Sequence, residues 1–283
     1  MKKKICITSD CVCDLPEKML EEYGVSVIYF YIHTDRGTFK DMDEITAGNI
    51  IEYFENGGQY ISTNAPRPIE YEDFFAGVLE DCDEILHIAI ASSLSKSMEN
   101  ATLASKRFGG KVCVFDSGHL STGIAHLVIK AAELAKEGKE CDQIVSILNP
   151  MRDKVFTSFI AENADYLHRN GRVSKLMKMI CAGMKMHPIL TMRKGEMRLK
   201  GVRIGSYKKS VVRYVRSELK KASKIEKKRL FITHSDCTVK MIARARKAAQ
   251  ERCEFEEVII SRASATITSN CGANTIGVLF VRE

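Results

Sequence analysis

No stretch of this chain is apolar for long enough to cross a membrane. The longest clearly apolar run, Val25 to Ile32, is broken only by Ser26 and falls far short of the roughly 20 residues that a spanning helix needs. The opening Met1-Lys2-Lys3-Lys4 resembles the basic start of an export signal, but the apolar run behind it ends after Ile5-Cys6-Ile7. That is too short for a signal core, so a soluble, cytoplasmic protein is expected. Signatures of metal and nucleotide chemistry are missing too. The histidines show no HExxH spacing, and neither GxGxxG nor GxxxxGK[ST] occurs. Only Cys11 and Cys13 stand close together, with no second pair at zinc-finger distance. No metal and no cofactor are expected. A Ser-His-Asp set can be drawn on paper from Ser95, His119 and Asp116, but no G-x-S-x-G elbow presents the serine. His234-Ser235-Asp236 reads as a strand-end turn more readily than as a catalytic cluster.

What is present is a globular balance. The chain has 283 residues, 45% apolar and 28% charged, enough for one large or two ordinary domains and a ligand cavity. In a chain without an export signal, the ten cysteines are expected as free thiols. Several sit in apolar runs such as Val112-Cys113-Val114, where cysteine behaves as a small hydrophobe. The net charge of +7 is uneven: between Arg203 and Arg229 the only acids are Glu218 and Glu226. This stretch suits an acidic partner, an anionic membrane surface or nucleic acid, and equally a plain solvated helix face.

The first half alternates short β-rich runs with amphipathic or apolar helical ones. Strands are expected at Lys4–Thr8, Val25–Ile32, Glu84–Ala91 and Lys111–Phe115, and an almost wholly apolar, hence buried, helix at Ser121–Glu137. That rhythm argues for an α/β architecture with a mainly parallel sheet, whose ligands bind beyond the carboxyl ends of the strands. The loops there, Ser9–Leu15, Ser62–Pro68, Ala91–Lys96 and Asp116–Ser121, are rich in Ser, Thr, Asn and Asp. The second half reads as another α/β unit, with strands at Lys154–Ile160, Ile189–Arg193, Arg229–His234, Phe255–Ser261 and Gly277–Arg282. An amphipathic helix, Ser206–Leu219, lies among them. Asn149-Pro150 is expected to break a helix, which places the domain boundary at 1–152 and 153–283.

Short motifs recur in order along the chain. They are Thr8-Ser9-Asp10-Cys11-Val12-Cys13-Asp14-Leu15-Pro16, Thr63-Asn64-Ala65-Pro66, Ser92-Ser93-Leu94-Ser95-Lys96-Ser97 and Asp116-Ser117-Gly118-His119-Leu120-Ser121-Thr122-Gly123. Further on come Tyr166-Leu167-His168-Arg169-Asn170-Gly171-Arg172-Val173-Ser174, Lys185-Met186-His187-Pro188-Ile189-Leu190 and His234-Ser235-Asp236. In this order the chain resembles the DegV family of two-domain α/β fatty-acid carriers. Cys11 and Val12 stand where that family has a hydroxyl pair, Ser93 and Lys96 replace glycines, and Asn270 falls where it has a late histidine.

The resemblance implies an N-terminal α/β/α parallel-sheet domain and a smaller C-terminal α/β domain around one buried long-chain fatty acid such as palmitate. It implies a binding protein rather than an enzyme. Thr63 and Ser95 would bind the carboxylate, with Asn64, Ser92 and Asn270 beside them. Arg169 and Arg172 would contact a separate fatty acid kinase. Met177, Met179, Met184 and Met186 suit a deformable apolar slot, or simply the core. Transient membrane contact is compatible with this picture and nucleic acid is not expected. The alternatives are a serine hydrolase using Ser95 and an adaptor using the basic stretch.

Overall fold

The computed structural model describes residues 3–169, 185–220 and 224–283. Its first sheet is built from the apolar runs of the N-terminal half: β1 (Ile5–Asp10), β2 (Val25–Ile28), β6 (Glu84–Ala89) and β7 (Val112–Asp116). They lie in the order β2-β1-β6-β7 and every pair is parallel, as the alternation of strand and helix requires. One face is covered by α3 (Pro68–Val78) and α4 (Ser97–Ser105), through Tyr71, Phe75, Ala101 and Ala104. The other face is covered by α5 (Thr122–Lys136).

The expected strand Val25–Ile32 is in fact two strands of two sheets. After Ile28 the chain leaves the parallel sheet, and Tyr31–Thr34 becomes β3, paired antiparallel with β4 (Gly37–Lys40) and β5 (Ile61–Asn64). The crossing point is held by Phe30, whose N–H donates to Cys11 Sγ at 3.3 Å and whose carbonyl accepts from Asp41 N–H at 2.8 Å. Both halves of the run are apolar, so the pattern carries no mark of the break.

The second sheet has six strands. Its order is β10 (Glu196–Ile204), β9 (Met186–Arg193), β8 (Val155–Ile160), β13 (Thr275–Arg282), β11 (Ile225–Ser235) and β12 (Glu257–Arg262). All neighbours are antiparallel except β11 and β12. Helices α8 (Tyr207–Glu218) and α9 (Val239–Gln250) cover its outer face. The apolar stripe read from the sequence, Tyr207, Val211, Val215 and Leu219, is buried there. Pro150 does not end a helix: α6 runs Cys141–Lys154 through it and leads directly into β8. The proline costs one backbone hydrogen bond in the last turn, which the flanking structure tolerates.

Helix α5 lies between the two sheets. Leu127, Val128 and Ile129 are fully buried and share one apolar core with Leu86 and Ile88 of β6, Phe159 of β8 and Leu279 of β13. Burial on all sides is what its sequence, apolar around most of its circumference, calls for. No helix among the described residues is long and apolar enough to cross a membrane.

Candidate functional site

Three buried carboxylates fix the loops at the ends of the N-terminal strands. Asp10, the last residue of β1, accepts from Tyr71 Oη at 2.8 Å, from Ser97 Oγ at 2.6 Å and from Ile90 N–H at 2.8 Å. His87 Nε2 lies 3.4 Å from the same carboxylate. Burial pushes its pKa up, but the His87 ring, Ser97 and the Ile90 amide together hold it below the ordinary value. The charge thereby anchors the start of α4 to the end of β1.

Asp14 and Asp41 do the same for a short helix of the second half, α10 (Ala265–Cys271). Asp14 accepts from Ser121 Oγ and, at 2.8 Å, from Ser264 N–H. Asp41 accepts from the N–H groups of Ala265 and Thr266 at 2.8 and 2.9 Å. Burial pushes Asp14 up to about 7 and raises Asp41, against the hydrogen bonds that favour their charged forms. Gly272, which ends α10, has φ of +83°, and a Cβ there would overlap the Tyr166 ring.

The junction around α5 is polar at one end. His119 Nδ1 lies 3.0 Å from Thr157 Oγ1 and its Nε2 lies 2.9 Å from Arg152 O. His126 Nε2 lies 3.1 Å from Leu279 O, and Thr122 Oγ1 meets Thr233 Oγ1 at 2.6 Å. At Gly123 a Cβ would overlap Thr157 Oγ1 and press on His119 Cβ at 3.1 Å, so only glycine lets α5 approach β8 this closely.

Between the loops that follow the N-terminal strands and the six-stranded sheet is a cavity of about 890 Å³. Its apolar walls include Phe30, Ile90, Leu120, Phe159, Ile267 and Leu279. All five residues expected at a ligand's polar end, Thr63, Asn64, Ser92, Ser95 and Asn270, line it. The fold brings the first four together through one tether: Asn100 Nδ2 of α4 donates to Pro66 O at 2.7 Å, which sets the end of β5 beside the start of α4. Ser95 Oγ accepts from Ser97 N–H at 3.2 Å. The hydroxyl thus helps cap α4, while its own O–H stays free to donate into the cavity. Ser92 N–H faces both oxygens of Asp116 at 3.4 Å. Asn270 differs from expectation. Its amide N–H groups donate within its own helix, to Thr266 O at 2.8 Å and Ser269 Oγ at 3.4 Å. It turns no free donor toward a ligand.

Arg169 is the last residue of α7 (Asp165–Arg169), and Arg172 lies outside the described residues, as do Met177, Met179 and Met184. Met186 opens β9 and is not among the cavity's lining residues, whereas Met197 of β10 is. Sequence reasoning missed Met197 and Ile267, because nothing in a single sequence tells which face of a hairpin or short helix meets a distant cavity. It also missed Asp41, which has no motif around it.

The hydrolase drawn from Ser95, His119 and Asp116 does not form. Both ring nitrogens of His119 are engaged by Thr157 and Arg152, and Asp116 accepts from Gly118 N–H at 2.8 Å. Burial lowers the pKa of His119 to about 4, with the Arg152 charge adding to it, so the ring is a neutral structural group. In the His234-Ser235-Asp236 turn, His234 Nδ1 accepts from Cys237 N–H at 3.3 Å and Asp236 pairs with Arg262 at 2.7 Å. Ser235 donates to Gly272 O. The three serve the turn.

Residues 4–283 match the model of a family described as uncharacterised protein, DegV family. A DegV domain-containing protein of Deinococcus radiodurans is 30% identical over 207 residues, 73% of either chain. Among solved structures, a fatty-acid-binding DegV family protein from Thermus thermophilus superposes with a TM-score of 0.87 at 24% identity, over 99% of this chain and 100% of that one. A DegV family protein from Eubacterium eligens loaded with heptadecanoic acid superposes with a TM-score of 0.86 at 18% identity, with the same coverage. With a family match over nearly its whole length and the fold to go with it, the chain belongs to the DegV family.

Proposed function

We propose that the protein binds one long-chain fatty acid, such as palmitate, in the cavity between its sheets and presents the carboxylate at the Thr63–Ser95 end. The observation that carries this reading is a cavity that joins apolar walls to the predicted polar residues. Its volume lies within the ~300–1,000 Å³ of ordinary ligand pockets. Burying a methylene is worth about 0.8 kcal/mol, so a chain of ~15 carbons offers roughly 12 kcal/mol before association costs. The carboxylate cannot be buried bare. Hydroxyls of Thr63 and Ser95 would donate to it, with Asn64 and Ser92 beside them and Asn270 on the cavity wall. The family relatives described as fatty-acid-bound support the same ligand class.

On this reading the protein is a cytoplasmic carrier rather than an enzyme, and it uses no cofactor. The bound acid would be handed to a separate fatty acid kinase at the surface near Arg169 and Arg172. Transient contact with an anionic membrane would load it, favoured by the excess of Lys and Arg between Arg203 and Arg229. Mass spectrometry of small molecules released on denaturing the purified protein tests the reading. The expected result is a one-to-one yield of long-chain fatty acid that falls in Thr63→Ala and Ser95→Ala. A protein that emerges empty and takes up no added fatty acid would refute it.

A further inference from the structure

We infer that Lys96 supplies the positive charge that receives the anionic head of the ligand. This rests on the fatty-acid reading above and assigns that site a residue which the family pattern does not. Lys96 stands where the family motif has a glycine, and it is the only lysine or arginine among the described residues that line the cavity. Its ammonium makes no hydrogen bond or ion pair among the described residues, and the residue is exposed.

Its position is fixed by its neighbours. Lys96 is the N-cap of α4, with φ of −79° and ψ of 2°, directly after Ser95 and one residue before Ser97, which is bound to the buried Asp10. The Asn100–Pro66 tether brings Thr63 and Asn64 to the same lip. A lysine here adjoins Ser95 in the chain and stands at the positive end of a nine-residue helix, so its charge, the helix dipole and the Ser95 hydroxyl can act on one ligand head.

Among the described residues, the opposite wall supplies no lysine or arginine. Asn270 replaces a residue type that can carry charge, and its amide donors are spent on Thr266 O and Ser269 Oγ. His234, the one histidine among the described lining residues, accepts the Cys237 N–H at Nδ1, so its ring proton sits on Nε2 and the ring adds a neutral donor but no charge. The remaining charged lining residue is Glu99, one turn along α4 from Lys96, which repels a carboxylate. Without Lys96, the charged groups on the lip would be acidic only.

The test compares delipidated full-length wild type with Lys96→Met, Lys96→Arg and Glu99→Gln. The probes are palmitate and 1-hexadecanol, a neutral ligand of equal chain length, in competition with a fluorescent fatty acid. Lys96→Met is expected to weaken palmitate about fivefold, the loss of one ion pair at an exposed site, and to leave hexadecanol within about twofold. Lys96→Arg should retain palmitate affinity, Glu99→Gln should raise it, and the palmitate-specific loss should shrink in high salt. Unchanged palmitate affinity in Lys96→Met, or an equal loss for both probes, would overturn the assignment and leave the carrier reading standing. Wild type that takes up neither probe would overturn the carrier reading and this inference with it.

Discussion

Acidification should work against the neutral histidines at the junction of the sheets, and the size of that contribution follows from His119 and His126. An imidazole in the unfolded chain titrates near 6.5, whereas His119 and His126 in the fold titrate at about 4 because burial penalises their charged forms. Their neutral state is a condition of folding, so the stability they permit is complete above about 6.5 and is withdrawn as pH falls toward 4. Between about pH 7.5 and about pH 5, each withdraws about 2 kcal/mol. Asp14 has the opposite sign: raised to about 7 from 3.8, it favours the folded state more as pH falls, by about 2–3 kcal/mol over the same interval. Asp41, raised by burial, acts in the same direction. The wild-type slope is therefore a difference of opposed contributions, and variants must separate them. His126→Gln keeps an N–H for Leu279 O but does not titrate. Losing the edge contact of the His126 ring with Phe231, centroids 5.0 Å apart, lowers stability equally at both pH values. Urea unfolding at the two pH values should show that His126→Gln removes about 2 kcal/mol of acid-induced destabilisation relative to wild type. If the difference between the two pH values is the same in His126→Gln and wild type, burial is not what holds this histidine neutral and the reasoning fails.

Three further substitutions probe the scaffold of the site. Gly123→Ala should cost about 1–3 kcal/mol in chemical denaturation, because its methyl group overlaps Thr157 and presses on His119, where α5 has no room to retreat. Tyr71→Phe removes the hydroxyl shared by Asp10 and Ser97 and should cost about 1–3 kcal/mol, read from the same unfolding curves. Asp41→Ala strands the Ala265 and Thr266 amides and should both destabilise the fold by about 2–4 kcal/mol and weaken palmitate binding in a displacement titration, since Thr266, Ile267 and Asn270 on the same helix line the cavity.

What the sequence disclosed and what it hid divide along physical lines. The burial of α5 was legible because a helix apolar on most sides has only one place to go. The polar end of the cavity was legible in part, because parallel strands deliver their following loops, such as Ala91–Lys96, to one edge, whereas Thr63 and Asn64 belong to β5 of the antiparallel sheet. The split of Val25–Ile32 was not, since an apolar run reads alike whether it serves one sheet or two. Pro150 misled because a single helical proline is a cost that surrounding structure can absorb. Asp41 was invisible for a third reason: its amide partners lie 224 and 225 residues away, and no local pattern encodes contacts of that range.

The departures from the family motifs are not equivalent, and burial separates them. Cys11, which replaces a hydroxyl, is completely buried, and its sulfur accepts the Phe30 N–H at the point where the chain changes sheets. Burial holds its thiol neutral by raising its pKa well above the ordinary value. Val12 is completely buried beside it. Neither residue lines the cavity, so these substitutions belong to the packing of the strand end. Lys96 and Asn270 do line the cavity, and they change its chemistry in opposite senses: one adds a cation at the lip, the other turns its donors back into its own helix. On the Lys96 proposal, a carboxylate entering the cavity would meet its charge partner on the α4 side, next to Ser95, rather than on the α10 side.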